Sequence, residues 1–127
     1  MPKTAGELTD AEIQNYRVAA QQRATQMQHE SEAHAAHALH IARQAAALLK
    51  SDYSAQRVWL FGSVARGMRV HPRSDIDIAV EGLPAEHFWA AWCRLDTLAP
   101  GETIDLEPVE SASPALLAEI QREGVEL

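Results

Sequence analysis

From Glu7 to Phe61 the chain contains neither glycine nor proline, and its most frequent residues there are Ala, Gln, Glu, Leu, Met and Arg. Backbone freedom is lowest where glycine is absent, and helix propensity is highest in this residue set, so helix is the natural conformation for most of the segment. Thr9 is placed to cap its start, with Glu12 three residues on completing a capping box. A single helix ending near Lys50 has about 40 residues and is roughly 60 Å long, too long to lie wholly against one small domain. The apolar content also changes along it. HALHIARQAAALLK offers Leu39, Ile41, Ala42, Ala45, Ala46, Leu48 and Leu49, whereas Gln21 to Glu32 offers little beyond Ala24 and Met27. About residues 35 to 51 therefore read as a core helix and 9 to 34 as a weakly amphipathic arm that needs a partner, or another copy of itself, to bury anything. The expected division is an N-terminal helical arm over 1–34 and one domain over 35–127. His29, His34, His37 and His40 lie on this helix, but off any single stripe, and are expected to be a titratable surface rather than a zinc site.

Beyond the helix the periodicity changes from helical to alternating. RVWLFG sets Val58 and Leu60 against Trp59 and Phe61, as in a strand covered on both faces. Ser63 can then start a short helix that Gly67 stops. DIDIAV puts Ile76, Ile78 and Val80 on one face and Asp75, Asp77 and Ala79 on the other. Pro84 opens a helix whose Phe88, Ala91, Trp92, Leu95 and Leu98 form a core stripe, within which Cys93 is expected to pack. TIDLEPV is a third strand with Ile104 and Leu106 inward and Asp105 and Glu107 opposite, and Ser113-Pro114 begin a last helix that ends near Gly124. The fold class is α+β: a small mixed sheet of about three to four strands with flanking helices and a long N-terminal helix.

Chemistry concentrates between the first and third strands. At Gly62-Ser63 a buried strand runs into a turn that opens a helix, which gathers free N–H groups and the positive end of a helix dipole into an anion site. Gly62 lets a phosphate approach the backbone, Ser63 adds a hydroxyl, and Arg66 lies one turn along with a guanidinium suited to phosphate oxygens. From Tyr53 to Ser74 there is no Asp or Glu, while Arg57, Arg66, Arg69 and Arg73 are present with His71 nearby, an island of positive charge in a chain of net charge −7. Asp75 and Asp77 leave one strand face about 6 to 7 Å apart, and a second strand brings Asp105, or Glu107, to the same side. Three converging carboxylates require protonation or cations, and Mg²⁺ takes oxygen ligands while keeping waters for phosphates. Phosphoryl-type transfer with two Mg²⁺ ions accounts for all of these parts together.

LFGSVARG followed by SDIDIAV resembles the signature of the DNA polymerase β-like nucleotidyltransferase superfamily, over about Arg57 to Val109. Within it, the small size and the C-terminal EIQREGVEL are similar to the minimal nucleotidyltransferase antitoxins that pair with HEPN-type RNase toxins. The resemblance implies transfer of AMP from ATP to the toxin, which is thereby silenced. It makes Gly62 and Ser63 the triphosphate turn, Asp75 and Asp77 the paired metal ligands, Asp105 the third carboxylate, and Arg66 a phosphate or partner contact. Two departures stand out: eleven residues separate Ser63 from Asp75, one more than expected for the group, and the arm exceeds the usual leading helix. The competing reading is an antitoxin or adaptor that neutralises its partner by binding alone.

The remaining composition narrows the surroundings. The negative net charge argues against nucleic acid as a direct ligand. No apolar run is long enough for a membrane span and the opening MPKTAGELTD lacks a signal-peptide core, so a cytoplasmic protein is expected. The single cysteine excludes an internal disulfide.

Overall fold

The computed structural model describes residue 6 and residues 8–66 and 75–127. The expected helix stop at Gly67 and the basic residues Arg69, His71 and Arg73 lie outside the described residues. The chain forms two compact units, Met1–Glu30 and Ser31–Leu127.

Helix α1 is one continuous element, Asp10–Tyr53, as expected where nothing in the sequence breaks it. Thr9 caps it: its Oγ1 accepts from the Glu12 N–H at 3.1 Å and donates to Glu12 Oε1 at 3.2 Å. The pair has the sequence of a capping box, and the glutamate meets the Thr9 hydroxyl. The buried residues of α1 are Ala38, Ile41, Ala42, Ala45, Ala46 and Leu49, all in its second half. Tyr16, Val18 and Met27 in the first half are exposed. Ser54 ends the helix in the left-handed region (φ 61°), and the Ala55 N–H turns back to the Leu49 carbonyl at 3.0 Å.

The sheet has the order β3-β2-β1-β4. Its strands are β1 (Arg57–Phe61), β2 (Ile76–Glu81), β3 (Ile104–Pro108) and β4 (Val125–Glu126). β1 runs antiparallel to β2 and β4, while β2 and β3 are parallel, joined through α3 (Phe88–Leu98) as parallel neighbours require. The alternation read from the sequence sets the two faces. Val58, Leu60, Ile76, Ile78, Val80, Ile104 and Leu106 join the α1 residues, Ala91 and Leu95 in the main core. On the other face Phe61, Ala79 and Ile120 form a second cluster beneath α4 (Pro114–Glu123). Ser113 caps α4 by accepting the Leu116 N–H at 3.1 Å, and Pro114 takes the first turn, where a missing N–H costs nothing.

Three local expectations differ from what is observed. A single 3-10 turn, Ala85–His87, intervenes between Pro84 and α3. Leu98 is 37% exposed and Cys93 is exposed, so the α3 stripe is narrower than its spacing suggested. Strand β4 was not foreseen because two residues carry no periodicity; it forms by pairing Trp59 with Glu126 and Leu60 with Val125.

Candidate active site

Strand β1 delivers the turn. After Phe61 the chain enters the short helix α2 (Gly62–Ala65), with Gly62 itself in the left-handed region at φ 79°. The helix therefore starts one residue earlier than expected, and Ser63 lies inside its first turn rather than capping it. A side chain at position 62 is excluded twice over. The backbone conformation disfavours it, and a Cβ there overlaps Asp77 Oδ2 and comes within 3.1 Å of Asp77 Cγ. The glycine backbone is thus in close approach to the carboxylate of Asp77.

Strand β2 delivers the acids. Asp75 sits just ahead of it and is exposed, and Asp77 is half-buried on the strand, opposite Phe61 of β1. On the other side Asp77 is level with Asp105 of β3, whereas Glu107 is level with Ala79, one pleat further along. The register thereby distinguishes two acids that alternation alone left equivalent. Burial, then the charges of Asp105, Asp75 and Glu119, push the Asp77 carboxyl up to about 6, with Arg66 pulling in the opposite sense. The acids therefore share one field at the start of β2 and β3. As they stand, no three Asp, Glu, His or Cys side chains among the described residues close around a single ion-sized point, so the expected trio is a shared field rather than a ready-made cage. The histidines of α1 form no such group either. His37 instead faces Glu102 at 3.5 Å.

Arg66 adds what the sequence could not. It reaches α4, where its Nη1 lies 3.0 Å from Glu119 Oε1 and 3.5 Å from Glu123 Oε2. Glu119 and Glu123 are one turn apart on the helix, so both face the guanidinium. Neither glutamate was singled out from the sequence, where a contact over 53 residues leaves no local trace. Arg57, counted in the same basic island, pairs with Glu126 at 3.7 Å.

The donor set suits a hard cation and a phosphate. Burial, and after it the neighbouring carboxylates, raise the Asp77 pKa at one end of the sheet, and a glycine turn with no room for a side chain lies against that carboxylate. A helix long and apolar enough to cross a membrane is absent among the described residues.

Comparison with known proteins agrees with this geometry. No curated protein matches the chain. Among solved structures it is similar to a minimal nucleotidyltransferase, 30% identical over 70% of this chain and 92% of the other, with a TM-score of 0.57. It is also similar to a chain of a toxin–antitoxin crystal structure with AMP-PNP, 31% identical over 65% of this chain and 69% of the other, TM-score 0.55. A mutant of the MntA–HpeT toxin–antitoxin is 31% identical over 63% of this chain and 64% of the other, TM-score 0.50. The family model described as "Polymerase beta, Nucleotidyltransferase" matches residues 43–127, the span that builds the sheet, the Gly62-Ser63 turn and all three aspartates. The chain belongs to the polymerase β nucleotidyltransferase family.

Proposed function

We propose that this protein is a Mg²⁺-dependent nucleotidyltransferase antitoxin that transfers AMP from ATP to a HEPN-type RNase toxin and so neutralises it. The observation that carries the reading is the level pairing of Asp77 with Asp105 on adjacent parallel strands, beside the Gly62 turn, where only a glycine fits against the Asp77 carboxylate. The relative bound to AMP-PNP is a toxin–antitoxin, which supports both the nucleotide and the setting.

In this reading Asp75, Asp77 and Asp105 hold the metal, two ions in all, and Gly62 and Ser63 receive the triphosphate. When bound, Mg²⁺ supplies charge neutralisation of the phosphates and activation of the acceptor hydroxyl. Gly62 allows the phosphates close to the backbone, and Ser63 offers N–H and hydroxyl donors at the start of α2. The acceptor oxygen attacks the α-phosphorus in line, loses its proton, and pyrophosphate departs with the bond to the α-phosphorus broken. Arg66 reaches the phosphates only by giving up Glu119, an exchange of one oxygen anion for another.

A second reading, an antitoxin that acts by binding alone, is favoured by that same engagement of Arg66 with Glu119 and Glu123. Intact-mass spectrometry separates the two. The protein is incubated with the product of the neighbouring gene, ATP and Mg²⁺, with Asp77→Asn as control. A Mg²⁺-dependent gain of AMP on the partner, absent with Asp77→Asn, is expected. A stable complex without any adduct would instead select the binding antitoxin, and full activity of Asp77→Asn would remove the site assignment.

A further inference from the structure

At the end of the sheet away from the aspartates the surface holds a cavity of about 560 Å³. It is framed by Leu83, Pro84, Phe88, Trp89 and Pro108, where β2 and β3 finish. Asp77 and Gly82 are five residues apart in extended chain, so the cavity lies about 16 Å from the acids along β2. Trp89 on its rim is 71% exposed, the most exposed of the large apolar side chains described. It is nonetheless held in place. Its ring stacks on Trp92 at 5.7 Å with 3° between planes, and it meets Phe88 edge-on at 5.1 Å. Trp92 is fixed in turn by donating its indole N–H to the Ile104 carbonyl at 3.0 Å. A large side chain that is ordered yet exposed loses little entropy when something covers it, which is the property of a binding hot spot.

The chemistry of the lining states what fits. Its polar groups are already used: Glu110 Oε1 accepts the Gly82 N–H at 2.7 Å, and the Ser111 hydroxyl donates to the Pro108 carbonyl at 3.3 Å. A small polar ligand would find few free groups to orient it, whereas an apolar anchor finds a preformed seat. Around the seat acids predominate, with Arg57 level with Glu81 and His87 3.8 Å from Glu86 as the basic neighbours. There is no Lys or Arg from Asp75 to Cys93 or from Leu95 to Gln121, while Glu81, Glu86, Glu107 and Glu110 all fall in the segments that build the cavity. Arg94, which interrupts this run, is paired with Asp52 at 3.5 Å. The Glu86 side chain is 79% exposed.

We infer that this cavity is the docking site for a partner protein that presents an apolar anchor flanked by lysines or arginines. Resting on the function proposed above, that partner is the toxin, gripped at one end of the sheet while the aspartate end stays open for transfer. Docking and chemistry are then carried by different residues and can be lost separately.

Calorimetric titration of the whole protein tests this with two probes: the product of the neighbouring gene, and a synthetic peptide with Leu-Pro-Leu between paired arginines. Both are expected to bind the parent and Asp77→Asn alike. Trp89→Ala should weaken both at least tenfold, Trp89→Phe should recover most of the loss, and Glu86→Lys should weaken binding severalfold, more so at low ionic strength. Equal binding of the partner by Trp89→Ala and the parent overturns the docking site, even if AMP transfer proceeds and the antitoxin reading stands. Trp89-dependent binding of the peptide, with a partner protein that neither binds nor gains AMP, supports the docking chemistry and overturns the antitoxin reading. Binding of neither probe overturns the docking site.

Discussion

Asp77 is held in the fold at a carboxyl pKa of about 6 against an ordinary 3.8. A raised carboxyl favours the protonated folded state, so its contribution to stability is fully present below pH 3.8 and is lost as pH rises through about 6. The side chain is half-buried, and after screening by solvent the effect is about 1–2 kcal/mol. Urea unfolding should therefore show Asp77→Asn more stable than the parent at pH 7.5 by about that amount, with the difference vanishing near pH 4. Equal stability of the two at pH 7.5 would mean that the repulsion is relieved by other means. The acids themselves were legible because strict alternation with Ile76, Ile78 and Val80 assigns Asp75 and Asp77 a face. Alternation left Asp105 and Glu107 equivalent, and only the family resemblance chose Asp105; its place level with Asp77 comes from strand register, a property of pairing between strands and not of either sequence alone.

Helix α4 shows why an element can be foreseen while its role is not. Ser113, Pro114 and Gly124 announced its ends, and Ile120 packs it beneath Phe61. Its link to the turn through Arg66 joins side chains far apart in sequence and left no signal beyond charge. Removing the guanidinium leaves Glu119 and Glu123 facing each other one turn apart, and Glu123 Oε2 is already buried without a hydrogen-bond partner. Arg66→Ala is expected to cost about 1–2 kcal/mol in denaturant unfolding, since the pair is only partly buried. Arg66→Lys should recover part of this, because both contacts are made by the single nitrogen Nη1 and an ammonium keeps a charge for the two glutamates. A loss within error for Arg66→Ala would show that α4 is held by Leu116 and Ile120 alone.

For the molecule as a whole, the α+β class was legible because the helical period of the first segment gives way to alternation where α1 hands over to β1, and the two periods then follow each other along the rest of the chain. The proposed division into arm and domain follows from where apolar residues stop being buried: the core residues begin at Ala38. A protein starting at Ser31 is expected to unfold cooperatively with a midpoint within a few degrees of the parent, as seen by calorimetry, and to keep the transfer proposed above. If the arm mediates self-association through Tyr16, Val18 and Met27, the shortened protein should sediment as a smaller species than the parent. A collapse of the transition would place the arm among the determinants of the fold. In the sheet order, β3 stands at an edge among the described residues, and it carries Asp105 and Glu107 outward, with Pro108 at its end. Charges and a proline on an open edge discourage pairing with a neighbouring chain. Beyond the metal-binding role proposed for it, Asp105 thus places a charge on an edge strand, and its neutralisation is expected to favour association between copies in concentrated solution. Colloidal behaviour and the proposed transfer would then both depend on one acid.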